Sequence, residues 1–398
     1  MKITRRNFLK GSLTTLFVAG FNLPIHAVSK IKKNLVVISL RGGMDGLCAL
    51  PVKSDKNFEK MRPDLIIDEN LKINSDFVLH PSLSEFYELF KEGKSAFIHA
   101  TSIPYAKRSH FDGQNLMESG GKIPYKTKTG WLGRGMKLAK LDGDGLALAL
   151  PMPLLLRGVP KNDNYYPANG TLPDKEILDI LTKVYADKSE SELKSLVEII
   201  KSRPVMGHEY GGSSPSRDNK DLARKAARMM IKANGPRVAV FEVHDFDTHA
   251  AQGGVNGTHS DCLSEINVIV KQLRKYLGKE FDNTLIVTLT EFGRKVKQNG
   301  GLGTEHGYGT AILMAGGLIK KAQVFSDWPG LKKKELFEKR DLNSTIDARG
   351  IYASAMSSVF DVDFELIKKN VFWGDNVLNL TDKFCNFFII NFSYQKKL

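Results

Sequence analysis

Residues 285–294 read LIVTLTEFGR, an apolar run of strand length that leads directly into Glu291 and Arg294. The first six residues predict a buried β-strand. Residues 238–249 (VAVFEVHDFDTH) and 303–315 (GTEHGYGTAILMA) repeat this layout, with acids and a histidine where an apolar run meets a loop. Because open α/β sheets bind ligands at the ends of their strands, these junctions indicate a ligand-binding site.

The alternation of strand-like and helix-like segments extends through the chain. From Thr258 an amphipathic helix is expected, with Thr258 and Asp261 capping it. The sequence does not decide the secondary structure of the apolar run 147–150. Further strands are predicted at 35–40 and 95–99, and further helices at 82–92, 175–201 and 220–233. This order predicts an α/β fold with a mostly parallel central sheet and helices on both faces.

The first 27 residues predict a targeting segment. Residues 4–10 (TRRNFLK) match a twin-arginine export motif, and residues 25–27 (IHA) resemble a small-residue cleavage site. The mildly apolar stretch between them is too short to span a membrane. We therefore expect a signal peptide over 1–27, the export machinery as a partner, and a periplasmic or otherwise exported protein without a transmembrane span. A single domain is expected over 28–383, and the tail 384–398 has no assignment.

Charge and cysteine usage narrow the class of protein. The formal net charge is +14, of which four positive charges belong to the predicted signal peptide. The remaining lysines are dispersed and form no basic stripe interleaved with aromatic residues, so nucleic acid is not the expected partner. An attraction to an anionic envelope polymer is compatible with this charge. The three cysteines are far apart, which argues against a disulfide framework, and Cys48 and Cys262 are expected to be buried.

Two candidate functional residues lie early in the chain. Asp45 follows the first strand within a glycine-rich turn and is either a metal ligand or a residue that stabilises its own turn. Ser109 begins the segment SHFD, residues 109–112, and is either a nucleophile or the N-cap of a helix.

The stronger candidates lie later in the chain. Asp247 and His249 follow the 238–243 strand closely enough to bind one ion. Glu291 is a candidate metal ligand and Arg294 a candidate anion clamp, and the alternative is an ion pair between them. His306, surrounded by glycines, is expected to bind metal. His259 is expected to lie at the surface.

Five motifs in order resemble the family catalogued as domain of unknown function 1501. They are RGGMDGL at 41–47, SHFD at 109–112, FDTH at 246–249, TEFGR at 290–294 and GTEHG at 303–307, and the resemblance covers roughly residues 34–382. That family resembles the alkaline phosphatase and sulfatase superfamily in fold. The resemblance implies one or two divalent metal ions (Zn, Ca, Mg or Mn), a hydroxyl or modified-cysteine nucleophile, and a phosphate or sulfate ester substrate.

The resemblance also assigns roles to residues. Asp45, Asp247, His249, Glu291 and His306 become metal ligands, Ser109 the nucleophile and Arg294 a catalytic anion-binding residue. Phe292 occupies a position where the superfamily has a ligand, which implies an impaired second metal site. The sequence contains no formylglycine sulfatase motif.

Two functions follow from these expectations. The first is an exported, metal-dependent hydrolase of phosphate or sulfate esters. The alternative is a non-catalytic envelope protein that binds a polysaccharide or protein partner on a degenerate phosphatase-like fold.

Overall fold

The computed structural model describes residues 32–68, 70–148, 151–165 and 218–384, together with residues 176, 179, 180 and 183. The predicted signal peptide, most of the predicted helical region 175–201 and the tail beyond residue 384 lie outside the described residues. Among the described helices, none is both long and apolar enough to cross a membrane.

The described strands form one large sheet and one small ribbon. They are β1 (Asn34–Leu40), β2 (Leu71–Lys72), β3 (Val78–Leu79), β4 (Ser95–Ser102), β5 (Gly145–Leu148), β6 (Asp163–Asn164), β7 (Val238–Val243), β8 (Thr284–Thr290), β9 (Thr310–Ala315), β10 (Val324–Phe325) and β11 (Ile346–Asp347). Strands β2 and β3 pair only with each other, and the remaining nine form the large sheet. The strands predicted at 35–40, 95–99, 238–243, 285–290 and 310–315 are confirmed.

The large sheet is mostly parallel, as predicted. Its order is β10-β4-β9-β8-β1-β7-β5-β6, with β11 also paired to β4. Among the described strands of this large sheet only β9 runs against the others, because it is antiparallel to both β4 and β8. The start of β9 therefore lies at the same edge as the ends of β1, β4, β7 and β8.

The described helices are α1 (Gly46–Ala49), α2 (Asn57–Met61), α3 (Ser84–Lys91), α4 (His110–Ser119), α5 (Trp131–Leu138), α6 (Asn219–Met230), α7 (Thr258–Leu277), α8 (Ala348–Phe360), α9 (Phe364–Val371) and α10 (Thr381–Phe384). Four short 3-10 helices accompany them at Pro63–Leu65, Pro81–Leu83, Leu154–Leu156 and Gly278–Asn283.

Two apolar cores lie on opposite faces of the sheet. Alternate residues of β1 divide between them, since Leu35 and Val37 face one core while Val36 and Ile38 face the other. Helices α4, α5, α8 and α9 contribute to the first core, and α3, α6 and α7 to the second. The prediction of helices on both faces is therefore confirmed.

Two details of α7 differ from the sequence expectations. The helix begins at Thr258, but no side chain caps its first turn. His259 is fully buried rather than exposed. It lies one to two turns before Leu263 and Ile266 on the apolar face of the helix, a spacing that predicts burial. Its ring packs against Phe246, and burial lowers its pKa to about 3.

Candidate metal centre

Three histidines and one aspartate converge at the edge of the sheet where β1, β4, β7 and β8 end. The Nε2 atom of His306 lies 2.9 Å from Nε2 of His110 and 2.9 Å from Nε2 of His249. The carboxylate of Asp247 lies 3.0 Å from Nε2 of both His306 and His249, and 3.2 Å from that of His110. Donor atoms of His110, Asp247 and His306 all lie within 4.8 Å of one another.

The outer nitrogen of each imidazole is anchored by an acceptor. Nδ1 of His110 is 2.9 Å from Glu291, Nδ1 of His249 is 2.9 Å from Glu305, and Nδ1 of His306 is 2.9 Å from the carbonyl oxygen of Arg108. Ionised carboxylates and carbonyl oxygens can only accept, so each Nδ1 carries the proton. The Nε2 lone pairs of the neutral rings consequently point at one another.

Such an arrangement requires a cation at its centre. Lone pairs that face each other at 2.9 Å repel unless a proton or a metal ion lies between them. Around a tetrahedral zinc ion with Zn–N distances of about 2.0–2.1 Å, donor atoms are about 3.3 Å apart. Among His110, Asp247 and His306 the observed separations are 2.9–3.2 Å, slightly shorter than this value, whereas His249 lies beside His306 and Asp247 but outside this set. The residues therefore fit a divalent ion, and the anchored Nδ1 atoms match the outer hydrogen bonds typical of metal-binding histidines.

The ligand-bearing segments reach this edge from three places in the chain. His110 is the first residue of α4, after β4. Asp247 and His249 follow β7. His306 precedes β9, and its side chain reaches the centre because β9 is the antiparallel strand. The structure thus brings Asp247, His249 and His306 together, as the sequence suggested, and adds His110, which was not chosen.

Asp247 is held by a buried arginine. Nη1 of Arg294 donates to Asp247 at 2.7 Å, and the same guanidinium donates to the backbone of Gly42 and to Thr304. Burial opposes ionisation of Asp247, but the hydrogen bond and charge of Arg294, followed by the charges of His110 and His306, lower its pKa to about 2. Arg294 is buried, and these partners engage its guanidinium. It therefore positions Asp247, and the prediction that it clamps a substrate anion is corrected.

Glu291 lies behind the histidines and is not among the converging ligands. Its fully buried carboxylate accepts hydrogen bonds from His110, from Gln114 at 3.1 Å and from the backbone N–H of Gly42 at 2.9 Å. Burial would raise its pKa, but these hydrogen bonds outweigh burial and lower it. The prediction that Glu291 binds metal is therefore corrected: it orients His110 and fixes its tautomer.

Phe292 forms an apolar wall beside the centre. Its ring centroid is 4.9 Å from that of His110 and 5.0 Å from that of His306. The glycine turn after β1 fits around this ring, because a Cβ atom on Gly43 would lie 2.6 Å from it. At Gly42, where φ is +115°, a Cβ atom would lie 2.5 Å from the backbone nitrogen of Asp247. The turn therefore requires glycine at both positions.

Asp45 lies apart from the converging ligands, in a buried polar network. Its carboxylate pairs with Nη1 of Arg62 at 2.5 Å and accepts from the amide of Gln252 at 2.7 Å. It also accepts from the N–H of Leu47, as a turn-stabilising aspartate would. The expectation that Asp45 binds metal is corrected, because its oxygen atoms are already satisfied by Arg62, Gln252 and Leu47.

Gln252 joins this network to the ligands. Its amide oxygen accepts from the hydroxyl of Thr248 at 2.9 Å and from that of Thr304 at 2.6 Å. Thr248 lies between Asp247 and His249, and Thr304 lies two residues before His306. One buried amide therefore ties both ligand-bearing loops to the Asp45–Arg62 pair.

Ser109 occupies the N-cap position of α4, directly before His110, but its side chain makes no capping hydrogen bond. Its backbone N–H donates to the hydroxyl of Tyr105 at 3.1 Å. The adjacent Arg108 has a positive φ of 60° and is tied to Glu338 and Asp341. The segment that presents Ser109 and His110 is thus fixed from both sides.

The pKa values of His110 and His306 are shifted in opposite directions. The hydrogen bond to Glu291 raises the pKa of His110, and this effect outweighs burial, with the charges of Glu291 and Asp247 acting in the same sense. Burial lowers the pKa of His306, and the charge of His110 adds to the decrease. In the metal-free protein a proton on Nε2 of His110 can therefore relieve the repulsion between the facing lone pairs, as a bound metal ion would.

We predict that metal affinity rises with pH until His110 is deprotonated. Because its pKa is raised, a proton competes with the metal below that pKa, and affinity should change about tenfold per pH unit there. Above it this dependence should vanish. Metal titrations from about pH 5.5 to about pH 8.5 measure the profile. In Glu291→Gln the profile should move to lower pH, and an unmoved profile would contradict the assignment.

The fold and the site together define an α/β protein with a candidate mononuclear metal centre at the edge of its sheet. The chain belongs to the family described as Protein of unknown function (DUF1501), whose pattern matches residues 95–357. No protein with curated annotation matches the chain.

Solved structures similar to this chain are sulfatases and phosphodiesterases of the alkaline phosphatase and sulfatase superfamily. A sulfatase from Pseudoalteromonas sp. is 15% identical, with a TM-score of 0.40 over 91% of this chain and 74% of that one. Murine ectonucleotide pyrophosphatase/phosphodiesterase 5 is 10% identical, with a TM-score of 0.42 over 89% and 100%. The phosphonate monoester hydrolase of Agrobacterium radiobacter is 11% identical, with a TM-score of 0.39 over 83% and 74%.

Proposed function

We propose that this protein is an exported hydrolase of phosphate or sulfate esters that depends on one divalent metal ion. The observation that carries the proposal is the convergence of three imidazole nitrogens and one carboxylate, with every outer imidazole nitrogen anchored. Imidazole nitrogen donors favour zinc or a similar transition metal over calcium or magnesium. When bound, the ion would act as a Lewis acid that polarises the ester and lowers the barrier to attack.

The residues of the chain would hold and orient the reactants. His110, His306 and Asp247 would bind the ion and leave a coordination position open for the substrate, and Arg294 would keep Asp247 ionised and directed inward. Asp247 and His249 are each about two-fifths exposed, so the centre faces solvent and a substrate can reach it. This exposure is typical of a catalytic site rather than a closed structural one.

Anion binding would fall mainly on the metal ion. Arg294 is engaged by Asp247, and Arg41 is paired with both Glu118 and Glu242. Each of these guanidinium charges is thus already compensated within the protein. The substrate anion would therefore interact mainly with the ion.

We predict that Ser109→Ala separates two routes of hydrolysis. If the Ser109 hydroxyl attacks the ester, the variant should lose activity by a factor of roughly a thousand or more, because the covalent route is closed. If water attacks directly, much of the rate should remain. Steady-state rates on aryl phosphate and aryl sulfate esters, with metal content matched between the two proteins, distinguish the routes. A metal-replete wild-type protein that is inert towards both ester classes would contradict the proposed function and favour the non-catalytic alternative.

Export by the twin-arginine route is proposed from residues 4–10 and needs its own test. In the variant Arg5→Lys/Arg6→Lys the precursor should accumulate in the cytoplasm, since the paired arginines are the recognition element. Immunoblots of cell fractions report the distribution. Processing and export equal to wild type would contradict this part of the proposal.

A further inference from the structure

An exposed aromatic residue adjoins the candidate metal centre. Phe111 follows the ligand His110 on the first turn of α4, and its side chain is 82% exposed. Single exposed apolar residues are ordinary at protein surfaces, but a series of them marks a binding surface. Phe111 begins such a series.

Two further exposed apolar residues lie in the loop that follows α4. Asn115 lies one turn after Phe111 on the same helical face, and its side-chain oxygen accepts from the backbone N–H of Tyr125 at 2.7 Å. The loop after α4 is therefore folded back beside the helix. Tyr125 is 50% exposed with a φ of +60°, and its hydroxyl interacts with Asp112, the neighbour of Phe111. Ile123 in the same loop is 58% exposed.

The loop ends at a surface cleft of about 500 Å³. Its lining includes Ile123, two lysines and a tryptophan, namely Lys122, Lys126 and Trp373. Trp373 is 51% exposed and also has a positive φ, +54°. Two of the exposed rings, Tyr125 and Trp373, are thus presented to solvent by backbone conformations that are uncommon for residues other than glycine.

The cleft is held together by charged side chains. The guanidinium of Arg134 lies 4.5 Å from the ring centroid of Trp373 and donates to the backbone of Val371, Ser119 and Thr129. Lys122 pairs with Asp375 at 2.7 Å across the cleft. These contacts connect the loop after α4 to the turn that carries Trp373, so the cleft is preformed.

We propose that Phe111, Tyr125 and Trp373, together with Lys126, form a binding surface for an anionic oligosaccharide, a glycan that carries sulfate or phosphate groups. The inference rests on the proposed function in one respect: the glycan would extend from the metal centre along α4. The rings offer flat apolar faces for sugar rings, and the ammonium group of Lys126 offers a charge for an anionic substituent. Helix α4 spans about 15 Å, the reach of a short oligosaccharide rather than of a single sugar.

The surface suits a glycan better than a membrane. A membrane-binding surface presents a continuous apolar face that is inserted into lipid. Here the exposed rings alternate with lysines, and Trp373 lies in a concave cleft that also contains Asp375. Concave sites with a few placed polar groups are typical of ligand binding.

Binding to size-matched oligosaccharides tests the proposal. We expect a heparin-derived hexasaccharide to bind metal-free protein in calorimetric titrations, and its desulfated counterpart to bind much more weakly. Trp373→Ala should weaken binding of the sulfated probe about tenfold, as the loss of one aromatic contact does. Trp373→Ala/Lys126→Ala should weaken it further. Because the whole chain is basic, Lys333→Ala and Ile231→Ala serve as matched controls for charge and for an exposed apolar residue, and both should bind as wild type does.

Three results of the oligosaccharide titrations would overturn the proposal: no binding, equal binding of the desulfated probe, or equal losses in the control and cleft variants. Preferential binding to phosphatidylglycerol vesicles, reduced by the same cleft variants, would overturn it in favour of a membrane surface. The test is independent of catalysis, since it uses metal-free protein. Binding lost in the cleft variants, with no ester hydrolysis by the wild type, would sustain the surface and contradict only the proposed enzyme.

Discussion

In the variant His306→Ala, affinity for a divalent metal ion is expected to fall by more than about 100-fold, because the loss of an outer hydrogen-bond partner alone typically costs 10–100-fold. Its Nε2 atom lies 2.9 Å from those of both His110 and His249, so this ring is shared by the whole cluster. Ester hydrolysis should fall with the bound metal. Competition titrations with a chromophoric chelator measure the affinity.

The matched control is His244→Ala. His244 lies in the same region of the chain but its side chain is 61% exposed, so its removal should leave metal affinity within about twofold, as for surface substitutions in general. Unchanged affinity in His306→Ala would show that the histidine cluster does not bind the ion. Equal losses in both variants would point to a general effect on folding.

Removal of Arg62 is expected to destabilise the fold by about 3–5 kcal/mol, the usual effect of breaking a buried ion pair. Arg62 and Asp45 are both almost completely buried and lie 2.5 Å apart. Arg62→Met would leave the Asp45 carboxylate buried with a hydrogen-bond donor in Gln252 but no countercharge. Asp45→Asn/Arg62→Met should recover part of the loss, because no unpaired charge remains. Urea denaturation of the three proteins measures the free energies of unfolding.

The same pair predicts the sign of a pH dependence. Burial alone would raise the pKa of Asp45, but the charge and hydrogen bond of Arg62, with help from Gln252, lower it well below its usual range. The stabilisation is therefore fully present above the unfolded pKa of about 3.9 and is lost as pH falls below it. Arg62→Met should flatten this dependence. As a control, Lys94→Met breaks the exposed pair with Asp282 and should cost less than about 1 kcal/mol. A similar cost for Arg62→Met would contradict the importance of the buried pair.

The sheet could be predicted because its central strands are continuous apolar runs. Strands such as β8 are buried on both faces, and strands of this kind consist almost entirely of apolar residues. The reversed direction of β9 could not be predicted in the same way. Strand direction depends on how the connecting segments cross the sheet, and the local sequence of β9 resembles that of its parallel neighbours.

The ligands were predicted best where two of them are close in sequence. Asp247 and His249 are separated by one residue, so their proximity follows from local geometry. His110 was missed because its partners lie more than a hundred residues away. The signal that could have selected it was its place after β4, since the end of that strand shares an edge with the ends of β7 and β8.

Asp45 and Glu291 illustrate the limit of assigning roles by residue type. Both are carboxylates at strand ends, as a metal site requires. What distinguishes them from Asp247 is the set of donors around them, namely Arg62 and Gln252 for Asp45 and His110 and Gly42 for Glu291. These donors come from distant segments, so only the assembled fold shows that the two carboxylates orient other residues.

Metal stoichiometry tests the central claim most directly. Purified protein, dialysed against zinc and then against metal-free buffer, should retain about one ion per chain by elemental analysis, since His110, Asp247 and His306 provide one site for a divalent ion. The variant His110→Ala/His306→Ala should retain none while keeping the circular dichroism of the wild type. Wild-type protein that retains no zinc or comparable divalent ion, or a double variant that retains as much as the wild type, would contradict the metal centre.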